Sequence, residues 1–197
     1  MVVREERADA ARNRTRVLEA AEELFARVDP ASVTMEDIAR AAGVGKGTLY
    51  RRYPNRDAVA VALLDEHERR LQERLLTGRP PLGPGAPPAA RMRAFYAAMA
   101  DLLDQHGHLA LAAETGAKRF TTGAYGFWRA HVGALLDDAG LRRQRGALVD
   151  TLLAPLAPEV YQYQRRVLGI SRARIVAALE LVAEGVFARA PEAVKKA

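Results

Sequence analysis

The sequence predicts an all-α protein in two parts, a three-helix N-terminal domain built on a helix-turn-helix and a larger C-terminal helical bundle, with about nine helices in all. Three observations carry this. Apolar residues recur at helical spacing along most of the 197 residues, and no stretch alternates with the two-residue period of a strand. Two short helical segments flank a glycine turn at 43–45, the arrangement of a helix-turn-helix. Residues 77–88 collect five of the ten prolines and three glycines, which makes that segment a loop. The domains are placed at 1–58 and 59–197, with the fourth helix following directly on the boundary.

The elements follow in order. Val17, Leu18, Ala21, Leu24, Phe25 and Val28 form one stripe of a first helix over 12–28, and Asp29-Pro30 stops it because the residue before a proline is pushed out of the helical region. Thr34 opens a second helix through a capping box in its Asp form, with Asp37 as the reciprocal partner. Met35, Ile38, Ala39 and Ala42 are its buried side. Gly43 ends it, since glycine adopts left-handed dihedrals without steric penalty. After Val44-Gly45 a short helix runs from Lys46 to Tyr53 and stops at Pro54, with Val44 and Leu49 as core pegs. Asn55 caps a fourth helix reaching about Leu76, with Val59, Leu63, Leu64, His67 and Leu71 on one side. Beyond the loop the helical pattern resumes at Ala89 and is expected to break at Gly107. Further helices are expected at about 109–119, 123–139, 142–154 and 159–168. A last one runs from a Ser171 cap to about Arg189.

Composition narrows the function classes. Hydrophobic residues make up 49% and charged residues 27%, which suits a chain that folds by burial. No run approaches the ~18 uncharged apolar residues of a membrane helix, and residues 1–16 are charged throughout, so a cytoplasmic protein is expected. With no cysteine there is no disulfide, thiol nucleophile or cysteine metal site, and His67, His106, His108 and His131 lack a metal-ligand spacing, so neither metal nor cofactor is expected. Glu114 with Arg119, and His106 with His108, do not build a nucleophile–base pair on a helix face, so no enzyme is expected. The net charge of +6 and pI near 10.0 are compatible with nucleic acid, and the position of that charge decides.

Five basic residues, Arg40, Lys46, Arg51, Arg52 and Arg56, fall between 38 and 56, with no acid in that window and Asp37 just outside it. Such a patch on the second helix of a helix-turn-helix neutralises phosphates and releases counterions. Gly45 and Gly47 suit a backbone that approaches a sugar-phosphate chain, and Thr48, Tyr50 and Arg51 project toward base edges or phosphates. Lys46, Tyr50, Tyr53 and Arg56 are read mainly as backbone-positioning residues, and Thr34 offers its hydroxyl and a helix N-terminus. The run Gly43-Val44-Gly45-Lys46-Gly47-Thr48 is not a phosphate-binding P-loop, because Arg40 and Gly47 stand where that motif needs glycine and a hydroxyl residue.

The segments T-R-V-L-E-A-A-E-E-L-F-A (15–26) and T-M-E-D-I-A-R-A-A-G-V-G-K-G-T-L-Y-R-R-Y-P-N-R-D-A-V (34–59) resemble the DNA-binding domain of the tetracycline-repressor (TetR) family, over about a quarter of the chain. Arg51-Arg52 and Pro54 depart from it, standing where aromatic or histidine residues and phenylalanine-lysine are commoner. The resemblance implies a cytoplasmic all-α homodimer, usually a repressor, that leaves double-stranded operator DNA when its C-terminal domain binds a small-molecule effector. It implies DNA contacts at Thr34, Gly45, Lys46, Gly47, Thr48, Tyr50, Arg51, Tyr53 and Arg56. The alternative is a dimeric DNA-binding regulator without an effector, controlled by a protein partner or by abundance.

The C-terminal half carries two further expectations. Its last helix is apolar on almost every side, which calls for a partner chain. The dimer interface is expected at Leu148, Val149, Leu152, Ile175, Leu179, Val182 and Val186, around a two-fold axis. Aromatic, Met and polar residues gather between 92 and 132, and a ligand pocket is expected at Tyr96, Met99, Phe127, Trp128 and His131.

Overall fold

The computed structural model describes residues 2–28, 32–113 and 120–188. The expected Asp29-Pro30 stop, and Glu114 and Arg119, lie outside the described residues. The described residues form helices and turns with no strand among them. These are α1 (Val2–Arg27), α2 (Met35–Ala42), α3 (Lys46–Arg52), α4 (Arg56–Thr77), α5 (Pro88–Ala113), α6 (Gly123–Asp138), α7 (Arg145–Leu153), α8 (Pro158–Gln162) and α9 (Arg172–Phe187). The chain divides into two compact units, Met1–Glu66 and His67–Ala197, and the division falls inside α4.

In the first unit α1 packs on α2 and α2 on α3. The stripe read from the sequence is the one buried: Val17, Leu18, Ala21 and Phe25 of α1 join Met35, Ile38, Ala39 and Ala42 of α2 and Leu49 of α3. Each boundary has a local cause. The Thr34 hydroxyl accepts from the Asp37 N–H at 3.1 Å and the Asp37 carboxylate accepts from the Thr34 N–H at 3.2 Å, which closes the capping box. At the other end of α2, Gly43 sits at φ +60°, and the N–H groups of Gly43 and Val44 donate to the Arg40 and Ala39 carbonyls at 3.2 and 3.0 Å. That pair of bonds is a Schellman motif. The Asn55 side chain caps α4 by accepting from the Ala58 N–H at 2.9 Å.

In the second unit α5 is the central helix, packed against α6, α8 and α9, while α6 packs on α7. Met92, Phe95, Tyr96 and Leu103 of α5 are buried, with Leu135 and Leu136 of α6, Leu152 of α7 and Tyr161 of α8. Polar bonds reinforce these contacts. Asp104 accepts from Nε and Nη2 of Arg165, at 2.6 and 3.3 Å, and from the Tyr161 hydroxyl at 3.2 Å. Arg172 donates to the Ala97 carbonyl at 3.1 Å and pairs with Asp101 at 2.7 Å.

Three boundaries differ from the sequence expectation. The break at Gly107 does not occur, and α5 runs through it to Ala113. Gly107 is buried, and a Cβ there would stand 2.0 Å from Nε2 of Gln162, whose amide donates to the Leu103 carbonyl at 3.0 Å. The glycine serves close packing of α8 on α5 rather than chain reversal. The helix expected at 142–154 is Arg145–Leu153, followed by a tighter turn over Ala154–Leu156. The helix expected at 159–168 is α8 continued as a π-turn over Tyr163–Val167, with the Leu168 N–H donating to the Tyr163 carbonyl at 3.1 Å.

Candidate nucleic-acid interface

The turn between α2 and α3 decides what α3 can present. Its left-handed Gly43 carries a carbonyl that accepts from Arg16 of α1 at 2.7 Å, and a Cβ at Gly43 would stand 2.6 Å from that same guanidinium nitrogen. Gly43 is therefore required by its dihedral, and a side chain there would also displace the Arg16 guanidinium. The turn held in this way leaves Leu49 as the buried anchor of α3, while Lys46, Gly47, Thr48, Tyr50, Arg51 and Arg52 are exposed.

Most of the residues read from the sequence as DNA contacts share this surface. Thr34, Gly45, Lys46, Gly47, Thr48, Tyr50 and Arg51 are all exposed, and Arg56 is half-buried at the start of α4. Among the described residues nothing requires the two glycines of the turn-helix junction to be glycine. A Cβ at Gly47 would meet nothing within 4 Å, and one at Gly45 would meet only the Thr48 hydroxyl, at 3.9 Å. Tyr53 is the exception. It is 6% exposed and its ring belongs to the core, so the expected DNA contact at this position is corrected: the ring that closes α3 packs inward.

The charge of the patch is also more structured than its composition implies. Lys46 reaches Glu36 of α2 at 3.3 Å, Arg40 pairs with Asp37, and Arg56 pairs with Asp57 at 3.3 Å. The Glu36 carboxyl is held below its ordinary range by its backbone N–H bond, by Lys46 and by the Tyr50 hydroxyl, and Asp37 is held low chiefly by Thr34. Arg51 and Arg52 make no ion pair among the described residues, so the uncompensated charge concentrates at the end of α3. The sequence reading missed the two acids of α2 as partners, because Glu36 lies ten positions from Lys46 and only the turn brings them together. It also missed Arg16 and Arg14, the latter bonded to Glu66 at 2.9 Å. Their alternation with Arg12 just ahead of the first apolar stripe was the available signal.

Of the residues expected to hold an effector, Phe127, Trp128 and His131 join one ring cluster with Phe95 in the second unit. The Phe95 ring lies 5.9 Å from that of Trp128 and 5.2 Å from His131, and Phe127 meets Trp128 edge-on at 5.4 Å. Tyr96, Met99, Trp128 and His131 are buried and Phe127 is half-buried. The Tyr96 hydroxyl donates to the Leu152 carbonyl at 3.0 Å, which commits that side chain to the core, and burial pushes its pKa up. His131 is different: its Nε2 is buried and finds no hydrogen-bond partner among the described residues. Burial, and then the charge of Arg91, push its pKa down to about 4, so it is neutral at pH 7.

Of the residues expected at a dimer interface, Val149, Leu152, Ile175 and Leu179 are buried within the chain itself. That corrects their expected role: they face the chain's own core. Leu148 and Val186 are half-buried and Val182 is 46% exposed. Leu181, which the sequence reading left out of the interface, is 70% exposed.

An exposed, cationic second helix on a capped, glycine-closed turn is the architecture of a helix-turn-helix DNA-binding domain, here carried on an all-α chain. Residues 17–63 match the model of the tetR family of bacterial regulatory proteins. Over that segment the chain is similar to the TetR family of transcriptional regulators. Over 61 residues it is 44% identical to the HTH-type transcriptional regulator Rv1255c of Mycobacterium tuberculosis, which is 31% of this chain and 30% of that protein. Over 68 residues it is 38% identical to the HTH-type transcriptional regulator TtgR of Pseudomonas putida, covering 34% and 32%. The chain thus spans about a third of the length of these relatives. Among solved structures, the TetR transcriptional regulator SCO0520 from Streptomyces coelicolor is 27% identical with a TM-score of 0.56, over 91% of this chain and 99% of that one. The fatty acid degradation regulator FadR from Bacillus halodurans shares the fold, with a TM-score of 0.64 at 14% identity over 88% and 95%. No helix among the described residues is long and apolar enough to cross a membrane.

Proposed function

We propose that this chain is an operator-binding transcriptional repressor that acts as a homodimer and is released from DNA by a small-molecule effector. The observation that carries the DNA-binding part is the exposed face of α3, with two glycines that nothing among the described residues requires. A backbone without side chains at 45 and 47 admits a sugar-phosphate chain closely, while Thr48, Tyr50 and Arg51 reach base edges or flanking phosphates. In a dimer two copies of α3 enter successive major grooves roughly 34–36 Å apart. In this reading residues 1–58 are the DNA-binding domain and 59–197 the effector and dimerisation domain, whereas the compact units divide between Glu66 and His67.

Dimerisation is supported by α9, which carries two apolar stripes. Ile175, Val176, Leu179, Ala183 and Phe187 face the chain's core, while Ala177, Ala178, Leu181 and Val182 lie exposed on another side. Effector binding is supported by the aromatic cluster around Trp128, where the unpartnered Nε2 of neutral His131 is a polar handle for a mostly apolar guest. A second reading, a DNA-binding dimer without an effector, is favoured by the tight packing of Tyr96 and its satisfied hydroxyl.

Selection of bound duplexes from a random pool tests the proposal, and a palindromic site is the expected result. Tyr50→Ala and Lys46→Ala should each weaken binding to that site about tenfold or more while the dimer persists in sedimentation. Unchanged affinity in both variants would overturn the assignment of α3. Dissociation of the complex by a metabolite from a broad panel separates the effector-controlled reading from the second one.

A further inference from the structure

In the second unit the cations packed on α5 differ in how they are answered. Arg93 pairs with Glu184 at 2.8 Å, and Arg172, laid against α5, pairs with Asp101 at 2.7 Å. Arg91 of α5 is half-buried and makes no ion pair among the described residues. Its Nη2 donates to the Leu75 carbonyl at 3.3 Å, and its Nε is buried with no hydrogen-bond partner among those residues. A neutral carbonyl answers a hydrogen bond but not a charge, and a cation drawn out of water without a counterion is costly. His131 of α6 is an independent observation: it is 9% exposed, and its Nε2 is buried without a partner among the described residues. Arg91 and Phe95 stand four positions apart on α5 and so share a face, and the His131 ring lies 5.2 Å from the Phe95 ring. The charge of Arg91 reaches His131, where it adds to burial in keeping the imidazole neutral. Two buried nitrogens without partners therefore occur at one place, against the Phe95 face of α5, with the Trp128 ring 5.9 Å from that of Phe95. Buried polar atoms in folded proteins are satisfied with few exceptions, so two exceptions together beside an unanswered charge call for a ligand.

The chemistry of these groups restricts what they can hold. A guanidinium only donates and its charge favours an anion, while a neutral imidazole has one N–H to offer, which stands at Nε2 when an acceptor is there. Two N–H groups match the two oxygens of a carboxylate, whereas a phosphate dianion would keep unsatisfied oxygens in a part-buried site. A water molecule would satisfy the nitrogens and leave the charge unanswered, and an ammonium group would add a like charge. The neighbouring rings suit an apolar or aromatic body. We propose that the effector is a carboxylate on a ring-bearing apolar body, its carboxylate held by Arg91 and His131 and its body lying against Phe95 and Trp128. This rests on the effector-controlled reading above and deepens it by naming the chemical class of the guest.

The test uses the full chain and a matched set of probes that share one body: phenylpropanoate, phenylpropanol and phenylpropylamine. Trp128 is the sole tryptophan of the chain, so its fluorescence reports on this cluster directly. Phenylpropanoate should change the emission saturably at pH 7, the alcohol should bind about tenfold more weakly, and the amine should not bind. Arg91→Met keeps an apolar stem and removes the charge, so the carboxylate should fall to the level of the alcohol. Arg91→Lys keeps the charge and should restore most of the preference. A thermal melt of each variant shows that it is folded, and the probe series on the parent stands by itself if Arg91→Met is not. Equal binding of the three probes by the parent, no response to any of them, or a carboxylate preference that survives in Arg91→Met overturns the proposal. Release of operator DNA separates this inference from the reading beneath it. If a neutral or cationic metabolite releases the DNA while the carboxylate does not bind, the effector reading stands and the carboxylate class fails. If the carboxylate binds through Arg91 and no compound releases the DNA, the site stands and the effector reading fails.

Discussion

Single residues settle the sharpest questions. Gly47 occupies an exposed position in α3 with open space around a would-be Cβ, so the fold gains nothing from its lack of a side chain. Gly47→Ala should raise stability by about 0.5–1 kcal/mol, because alanine loses less backbone entropy in a helix. The same variant should bind operator DNA more weakly, since the added methyl stands where the sugar-phosphate chain approaches. A thermal melt and a binding titration on one preparation separate the two effects, and a variant that gains stability with undiminished affinity would remove the DNA-facing role of that glycine. His131 makes a pH prediction. Its folded pKa near 4 lies below the ordinary value of 6.5. Between those values the unfolded chain takes up a proton that the folded chain refuses, so stability is full above about pH 6.5 and is lost as pH falls toward 4. The loss is at most roughly 3 kcal/mol, and replacing His131 by Phe should flatten that part of the pH–stability curve. His106, stacked on His67 with ring centres 3.6 Å apart, is also pushed down to about 4, by burial and then by His67, and contributes slope of the same sign.

Helices start and stop for reasons held in their terminal residues, and α2 shows how a structural device and a binding device share one side chain. Thr34 caps α2 through the Asp37 N–H, and the same exposed hydroxyl is proposed to meet a phosphate. Thr34→Asp separates these roles. Aspartate can accept from the Asp37 N–H as threonine does, but it loses the hydroxyl that donates to the Asp37 carboxylate at 2.6 Å and sets two carboxylates together, so stability should fall by about 1–2 kcal/mol. Its charge repels phosphate, so DNA affinity should fall, and more steeply at low salt. Equal affinity for Thr34→Asp and the parent at low salt would place the α2 N-terminus away from the backbone. The caps at Thr34, Asn55 and Ser171 and the Gly43 terminus were all legible in the sequence, because each depends on residues within four positions. Gly107 was misread as a break for the opposite reason: its partner, Gln162, is 55 positions away.

For the whole molecule the open question is what covers the exposed stripe of α9. A dimer is the proposed answer, and Leu181 tests it because the side chain is 70% exposed within a single chain. Leu181→Glu should leave the stability of the isolated chain within about ±0.5 kcal/mol. It should shift the sedimentation equilibrium from dimer to monomer, because a carboxylate buried against an apolar partner has no compensating charge. A parent protein that is monomeric at micromolar concentration would end the two-groove model of operator binding.

Local information in the chain determined the all-helical class, the helix-turn-helix, its caps and the exposed residues of α3. Helical period, glycine dihedrals and capping partners act over a few residues, and they are written in the order of the amino acids. Tertiary structure alone decided which apolar residues of α7 and α9 turn inward, which cations of the patch are answered by Glu36, Asp37 and Asp57, and that Tyr53 is a core ring with an unpartnered hydroxyl. Burial and the answering of charge are properties of neighbours in space. A helix that is apolar on several sides does not state by itself which of them meets its own chain.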